Sequence, residues 1–326
     1  MSSNFALVHP NDLLASELRE VLDRRRELWR RIDLLSDRDA DVGSLTEVGG
    51  AAAMVHELGD ASFDDIDVAI FGGALEFTRP LLKGLPASTA ALVLNPLAGA
   101  ADGHPVVAGI NLDTVSRDRV MLSPHPGTVA LAHLLHPLGA FGLRRASATL
   151  IQPVSVYGKE GLDEMFDQTR AILAFSQNPE HEVFPTQMAF NMLPSQDPYA
   201  PVAEHLATVL GDTATGGDIH VSVQVLQAAI FHSYGISLHL ELENDPGPEA
   251  VAEAYDDHPY TDRAVDPELL GPIDAANRDE VLVGPIEADP RQKGSYRLWA
   301  VMDNLTCGGA LNALKILEAL GPSTVH

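Results

Sequence analysis

A chain of 326 residues with 45% apolar content exceeds what a single core usually holds, so two domains are expected, each with its own interior. Its 21 basic against 46 acidic side chains leave a formal charge of −25, which repels phosphate backbones and anionic lipid and argues against nucleic-acid or membrane partners. The single cysteine, Cys307, rules out an intrachain disulfide and a multi-cysteine metal site. With no basic start followed by an apolar run, and no stretch of roughly 18 continuous apolar residues, a cytoplasmic chain is expected.

The hydrophobic periodicity predicts a short buried strand over Phe5 to Val8, a helix from Leu13 to about Leu28, and strands at Ile32 to Leu35 and Asp67 to Phe71. A short helix at Thr78 to Leu82 and a buried strand at Ala90 to Leu94 follow. Strands alternating with helices at this spacing indicate a parallel, doubly wound α/β sheet. Beyond Gly127 the pattern changes to a helix over Thr128 to Leu138, a strand over Arg145 to Val154, and a long amphipathic helix over Lys159 to Phe175. Leu162, Met165, Phe166, Ile172 and Leu173 fall near one face of that helix. Two long strands, Ile219 to Phe231 and Ile236 to Glu243, have little loop between them and read as an antiparallel pair in a second, α+β domain. Asn178 to Pro185, Asn244 to Glu249 and Pro267 to Arg278 read as loops. A strand, Arg297 to Met302, and a helix from about Gly308 to Leu320 close the chain.

Four segments carry a resemblance that spans nearly the whole chain: IQPVSVYGKEGLDEM, TQMAFNMLPSQD, VSVQVLQAAIFHSYGISLHLELE and RLWAVMDNLTCGGALNALKILEAL. The last is the most specific, because Asp303, Asn304, Gly308, Gly309, Ala310, Leu311, Asn312 and Ala313 match a closing Asp-Asn and Gly-(Ala/Gly)-Ala-Leu-Asn-Ala pattern on a helix. On these residues the chain is similar to the aspartate-semialdehyde dehydrogenase family. The resemblance implies a Rossmann-like N-terminal domain, residues 1–126 with the C-terminal helix 304–326, and an α+β dimerisation domain, 127–303, that forms a homodimer. It also implies that active members use a nicotinamide cofactor and a cysteine thioester, through which an acyl phosphate and an aldehyde are interconverted.

Against that family pattern the expected site residues are missing one after another. In the first βα turn, where only glycine lets the backbone approach a pyrophosphate at a helix N-terminus, His9, Asp12 and Ala15 replace the three glycines. Asp12 adds negative charge and Pro10 removes an N–H, so no cofactor is expected, and NADP only if the chain is an active enzyme. The plainer reading of this turn is a helix start capped by Asn11 or Asp12. The nucleophile position aligns with Pro126 in Ser123-Pro124-His125-Pro126-Gly127-Thr128, and a proline suits a first helical turn while offering no attacking atom. The substrate-binding arginine and the acid/base histidine, seven residues apart, fall on Gln227 and Tyr234. Tyrosine, with an ordinary pKa of about 10, is a poor proton shuttle at neutral pH. Ala100 stands where a phosphate-holding arginine is expected, and only Gln152 and Asn95 are retained. In keeping the AFNMLP and GGAL stretches while lacking the cysteine, the chain resembles the Usg-type branch of bacterial paralogues.

Three further sets of polar residues have rival readings. Cys307, at the start of the closing helix, is either a relocated thiol or a small buried residue, and the second is the commoner use of a free cysteine. His125, His133 and His136 lie close enough in sequence to suggest zinc, but a lone His-x-x-His pair is weak and no metal is expected. Asn95, His125, Gln152, Gln227, His232 and Tyr234 would line a vacated pocket, with His232 and Tyr234 on one face if their strand is regular. The reading that follows is a non-catalytic paralogue serving as scaffold, regulator or binder, a homodimer or a partner of an active dehydrogenase subunit. The alternatives are a divergent NAD(P)-dependent oxidoreductase of amino-acid biosynthesis, and a metal or small-ligand protein using the vacated pocket.

Overall fold

The computed structural model describes residues 2–175, 181–195, 201–211 and 219–321. Contacts divide the chain into two compact units, Met1–Pro126 with Gly309–His326, and Gly127–Gly308, so residues 304–308 lie with the second.

The first unit is built on strands β1 (Ser3–Val8), β2 (Trp29–Ser36), β5 (His56–Glu57), β6 (Val68–Phe71), β7 (Ala90–Val93), β8 (His104–Pro105) and β9 (Met121–Leu122). They form one sheet in the order β5-β2-β1-β6-β7-β9-β8, with every neighbouring pair parallel. Side chains alternate across β1, so Phe5 and Leu7 join one apolar layer while Ala6 and Val8 join the other. The first layer takes Leu18 and Leu22 from helix α1 (Leu13–Asp23) and Leu314 and Leu317 from helix α7 (Asn312–Leu320). The second takes Leu81 and Leu82 from helix α2 (Leu75–Gly84). Burial on both faces is why these strands read as continuous apolar runs. The chain lays strands to one side of β1 and then to the other, so the sheet's switch point lies between β1 and β6.

Helix α1 stops short of Leu28. Trp29 is drawn into the core as the first residue of β2, and its indole N–H donates to the Leu22 carbonyl at 3.0 Å, closing the helix end. A hairpin absent from the sequence reading, β3 (Leu45–Val48) with β4 (Ala51–Met54), turns through Gly49 and Gly50, both at positive φ.

In the second unit β10 (Leu143–Gln152), β11 (Met192–Pro194), β12 (His220–Ala228), β13 (Tyr234–Leu242), β14 (Thr261–Arg263), β15 (Val281–Ala288) and β16 (Ser295–Met302) form a mixed sheet, in the order β11-β12-β10-β13-β16-β15-β14. The two long strands read as a pair are not neighbours. β10 lies between them, parallel to β12 and antiparallel to β13. Five residues are enough to step over the end of one strand, since two inter-strand spacings come to only about 10 Å. As the 229–233 segment crosses, the carbonyls of Ile230 and Phe231 accept from the amides of Val154 and Ser155, where the chain leaves β10.

Helices α3 (Pro126–Leu135), α4 (Gly158–Leu173), α5 (Val202–Gly211) and α6 (Pro248–Asp256) complete the unit, α3 beginning at its junction with the first. The buried face of α4 runs through Gly161, Met165 and Gln168. Phe166 and Leu173, expected on that face, are instead 58% and 68% exposed. The closing helix also differs: a π-helical turn, Thr306–Leu311, precedes α7. The predicted loop Asn178 to Pro185 lies partly outside the described residues, and the stretch 267–278 holds two short 3-10 turns.

Candidate functional site

In the first unit the β1–α1 turn lies at the switch point, where α/β sheets place their ligands. His9 leaves β1 with φ of 56°, a left-handed conformation that suits glycine, and its ring is buried. Its Nε2 lies 2.6 Å from Asp37 Oδ1, just beyond β2, and Nδ1 lies 3.5 Å from the Gly72 carbonyl, just beyond β6. The contact with His9 holds the Asp37 carboxyl below the usual carboxylate range. At Gly73, φ 76°, a Cβ would stand 2.1 Å from His9 Nδ1, so the ring fills the room beside that glycine. Asp12 has N-cap backbone geometry, but its carboxylate does not bond the helix amides. It pairs instead with the Arg38 guanidinium. Asn11 turns to Asp41 at 2.8 Å, so the expected side-chain cap is not made by either residue. Ala15 is buried in the core. A turn filled by an imidazole and edged by the carboxylates of Asp12, Asp37 and Asp41 does not match the open, N–H-lined cradle that holds a pyrophosphate.

Asn95, also in the first unit, donates to the Gly73 carbonyl at 2.7 Å and accepts from the Leu97 amide at 2.8 Å, tying its loop to the switch point. His125 is buried just before α3, and Pro126 is that helix's first residue, where a missing N–H costs nothing. Ser123 accepts a 3.0 Å hydrogen bond from Asn312, whose side chain also spans Val106 and Ala108. The retained asparagine of the closing helix is therefore a loop anchor.

Gln152, Gln227 and Tyr234 come together in the second unit. The two glutamines are register partners on β10 and β12, and all three side chains are buried. The Tyr234 hydroxyl donates to Gln152 Oε1 at 2.8 Å, Gln152 Nε2 donates to Gln227 Oε1 at 3.0 Å, and Gln227 Nε2 donates to the Gln152 and Ala228 carbonyls. Burial, then the nearby Tyr157, pushes the Tyr234 hydroxyl well above its ordinary pKa. The group is a neutral amide and hydroxyl relay, and none of its three side chains is a cation to clamp a carboxylate or an acid/base near neutrality. His232 does not join it. β13 begins only at Tyr234, Ser233 sits at φ 72°, and the broken alternation leaves His232 exposed.

Cys307 is 5% exposed, and burial, reinforced by Asp303, Glu280 and Asp279, drives its thiol pKa upward. Both effects oppose the thiolate, the form in which a cysteine attacks. Asp303 accepts from the amides of Asn277, Leu305 and Thr306, and Asn304 from Ser233 N–H while donating to Ser155, so the Asp-Asn pair braces turns.

The partner of His133 is a histidine distant in sequence. His133 Nδ1 lies 3.0 Å from His258 Nε2, and its ring stacks on Tyr260 with centroids 4.6 Å apart. Burial first, then His258 and His136, lowers the pKa of His133 well below the usual value. Among the described residues no group of three or more His, Cys, Asp or Glu is arranged to hold a metal. His258 was invisible to sequence reasoning because no local spacing links it to His133. The same holds for Asp37 and Arg38 opposite His9 and Asp12. Among the described residues no helix is long and apolar enough to cross a membrane.

The family profile described as semialdehyde dehydrogenase, dimerisation domain matches residues 135–307, more than half of the chain. Among curated proteins, the aspartate-semialdehyde dehydrogenase of Rickettsia conorii is 25% identical over 331 residues, covering 97% of each chain. That of Bacillus subtilis is 24% identical over 335 residues, covering 97% of this chain and 96% of the relative. Among solved structures, aspartate semialdehyde dehydrogenase II from Vibrio cholerae superposes with a TM-score of 0.87 at 22% identity, over 98% of both chains, and shares the fold of a parallel-sheet N-terminal domain and a mixed-sheet second domain. On the matched domain and the full-length likeness together, this chain belongs to the aspartate-semialdehyde dehydrogenase family.

Proposed function

We propose that this chain is a non-catalytic member of its family, of the Usg type that lacks the catalytic cysteine, and that it keeps the two-domain framework as a homodimeric scaffold or regulatory subunit. The observation that carries this reading is Pro126 at the first position of α3, where a helix N-terminus would otherwise activate a thiol. Three other features support it. Gln227 offers no positive charge to a substrate carboxylate, Tyr234 spends its proton on Gln152, and the lone thiol of Cys307 is buried and neutral. Exposed Phe166, Leu173, Phe190 and Met192 in the second unit fit a chain that pairs with a second copy or with an active dehydrogenase subunit.

The test is turnover. Homogeneous protein given aspartate semialdehyde, phosphate and NADP is expected to form no reduced cofactor above the protein-free rate. Reproducible turnover that co-purifies with the chain overturns the proposal. It would establish the second reading, a divergent NAD(P)-dependent oxidoreductase of amino-acid biosynthesis, which the end-to-end likeness to proteins named aspartate-semialdehyde dehydrogenase favours.

A further inference from the structure

The β1–α1 turn of the first unit is filled by its own side chains. In dinucleotide-binding α/β domains this turn receives the pyrophosphate, and the residues at the end of the second strand meet the ribose, with an acid for a hydroxyl or an arginine for a phosphate. Here both kinds of residue are present at that strand end, Asp37 and Arg38, immediately after β2. Each faces back onto the turn. Asp37 holds the His9 imidazole at 2.6 Å, and Arg38 holds the Asp12 carboxylate with two contacts, Nη1 to Oδ1 and Nη2 to Oδ2.

The turn's remaining charges are also engaged. Asp41 accepts from Asn11 at 2.8 Å and from Ser36 at 3.1 Å. Arg19, buried beneath the turn, gives Nε to the Pro10 carbonyl at 3.1 Å and its other nitrogens to Ser16, Thr46 and the Glu47 carbonyl. Gly72 and Gly73 remain on the β6 side, and the space beside Gly73 is taken by the His9 ring.

We propose that His9 and Asp12 are built-in ligands of a former phosphate subsite: the imidazole takes its volume and the carboxylate takes the place of a phosphate on Arg38. A carboxylate and a phosphate oxygen present the same acceptor geometry to a guanidinium, so a single residue change can both cancel the charge and occupy the donor. The left-handed backbone of His9 is the counterpart observation. A bulky residue is kept in a conformation natural to glycine, which is consistent with a side chain whose contacts to Asp37 and Gly73 hold the turn closed. None of these contacts involves the missing nucleophile. All of them lie in the first unit, where the phosphate-binding capacity is masked and returns when the two side chains are removed.

The experiment is calorimetric titration of NADP and of inorganic pyrophosphate into the wild-type chain and into Asp12→Asn, His9→Gly and the double variant. Circular dichroism and the unfolding midpoint check that each is folded. Wild type is expected to show no saturable binding up to about 1 mM of either probe, and the double variant is expected to gain affinity by at least about tenfold. Asp12→Asn keeps the side chain's shape, so it remains informative if the glycine variants do not fold, and pyrophosphate binding should rise even in this single variant. Wild-type binding tighter than about 1 mM, or a folded Asp12→Asn and double variant with no gain, overturns the inference. Binding by wild type without turnover would sink this inference and leave the non-catalytic reading standing, whereas turnover would sink that reading as well.

Discussion

Tyr234 donates its hydroxyl hydrogen to the side-chain oxygen of Gln152 at 2.8 Å, and that amide in turn donates to Gln227, so three strands of the second sheet are joined by one buried chain of hydrogen bonds. Gln152 and Gln227 are register partners, so the sheet itself sets how closely the two amides approach.

Removing the first link should be felt as stability. Tyr234→Phe leaves Gln152 Oε1 buried without its hydroxyl donor and is expected to cost about 1–2 kcal/mol in urea unfolding. Gln227→Arg, which restores the residue type expected of a substrate clamp, places a guanidinium among buried amides. It is expected to cost about 3 kcal/mol or more, with no gain of turnover. A clamp variant as stable as wild type would mean that this position opens to solvent.

The His133–His258 pair makes stability depend on pH. One ring must donate and the other accept across 3.0 Å, so the folded state needs at least one of them neutral. His258 has its pKa pulled down to about 4 by burial and by His136, and His133 is also depressed. A histidine lowered in the fold binds fewer protons there than in the unfolded chain. Its stabilising contribution is therefore complete above the unfolded value of about 6.5 and is lost as pH falls toward the folded value. The groups facing the pair are His136, whose pKa is also lowered by burial, and the ring of Tyr260. His258 is partly exposed, so screening trims its share to about 1–2 kcal/mol. The unfolding free energy of wild type should therefore fall between pH 6.5 and 4 more steeply than that of His258→Gln, roughly by that amount. Parallel pH curves would refute the assignment.

Cys307 should behave as a core residue. Its thiol is neutral and enclosed, so an alkylating reagent is expected to modify less than about one-tenth of native protein in the time that the urea-unfolded chain reacts to completion. Rapid native labelling would return the relocated-thiol reading to contention.

How much of this was legible in the sequence depended on whether a signal was local. The apolar runs of β1, β6 and β7 are buried on both faces and stand out because nothing polar interrupts them. β15 was missed because Gly284 and Pro285 break the run Val281–Ala288, and the β3–β4 hairpin because Ala51, Ala52 and Ala53 give no alternation. The placement of β10 between β12 and β13 depends on pairing across more than 60 residues, and short connections alone favour a hairpin. The site divides in the same way. Pro126, Gln227 and Tyr234 were found by position in a shared pattern, whereas His9 with Asp37, Asp12 with Arg38 and His133 with His258 pair across the fold, with no spacing that announces them. His232 failed because strand periodicity was extended through a residue, Ser233, whose positive φ breaks it.

Pro126→Cys asks whether one residue separates this chain from chemistry. The change restores an N–H and places a thiol on the first turn of α3, at the end of the helix whose dipole favours thiolate. Losing the ring's restriction of the unfolded chain is expected to lower stability by about 0.4–1 kcal/mol, so the variant should fold. A thiol alone does not supply the rest of the reaction. Gln227 brings no charge to hold a carboxylate, Tyr234 has its proton committed to Gln152, and the β1–α1 turn is filled by His9 and Asp12. The expected outcome is a folded variant whose new thiol can be labelled after unfolding and which forms no reduced NADP from aspartate semialdehyde and phosphate. If this one substitution instead produces dehydrogenase turnover, the glutamine, tyrosine and filled turn are compatible with catalysis, and the losses reduce to a single missing nucleophile.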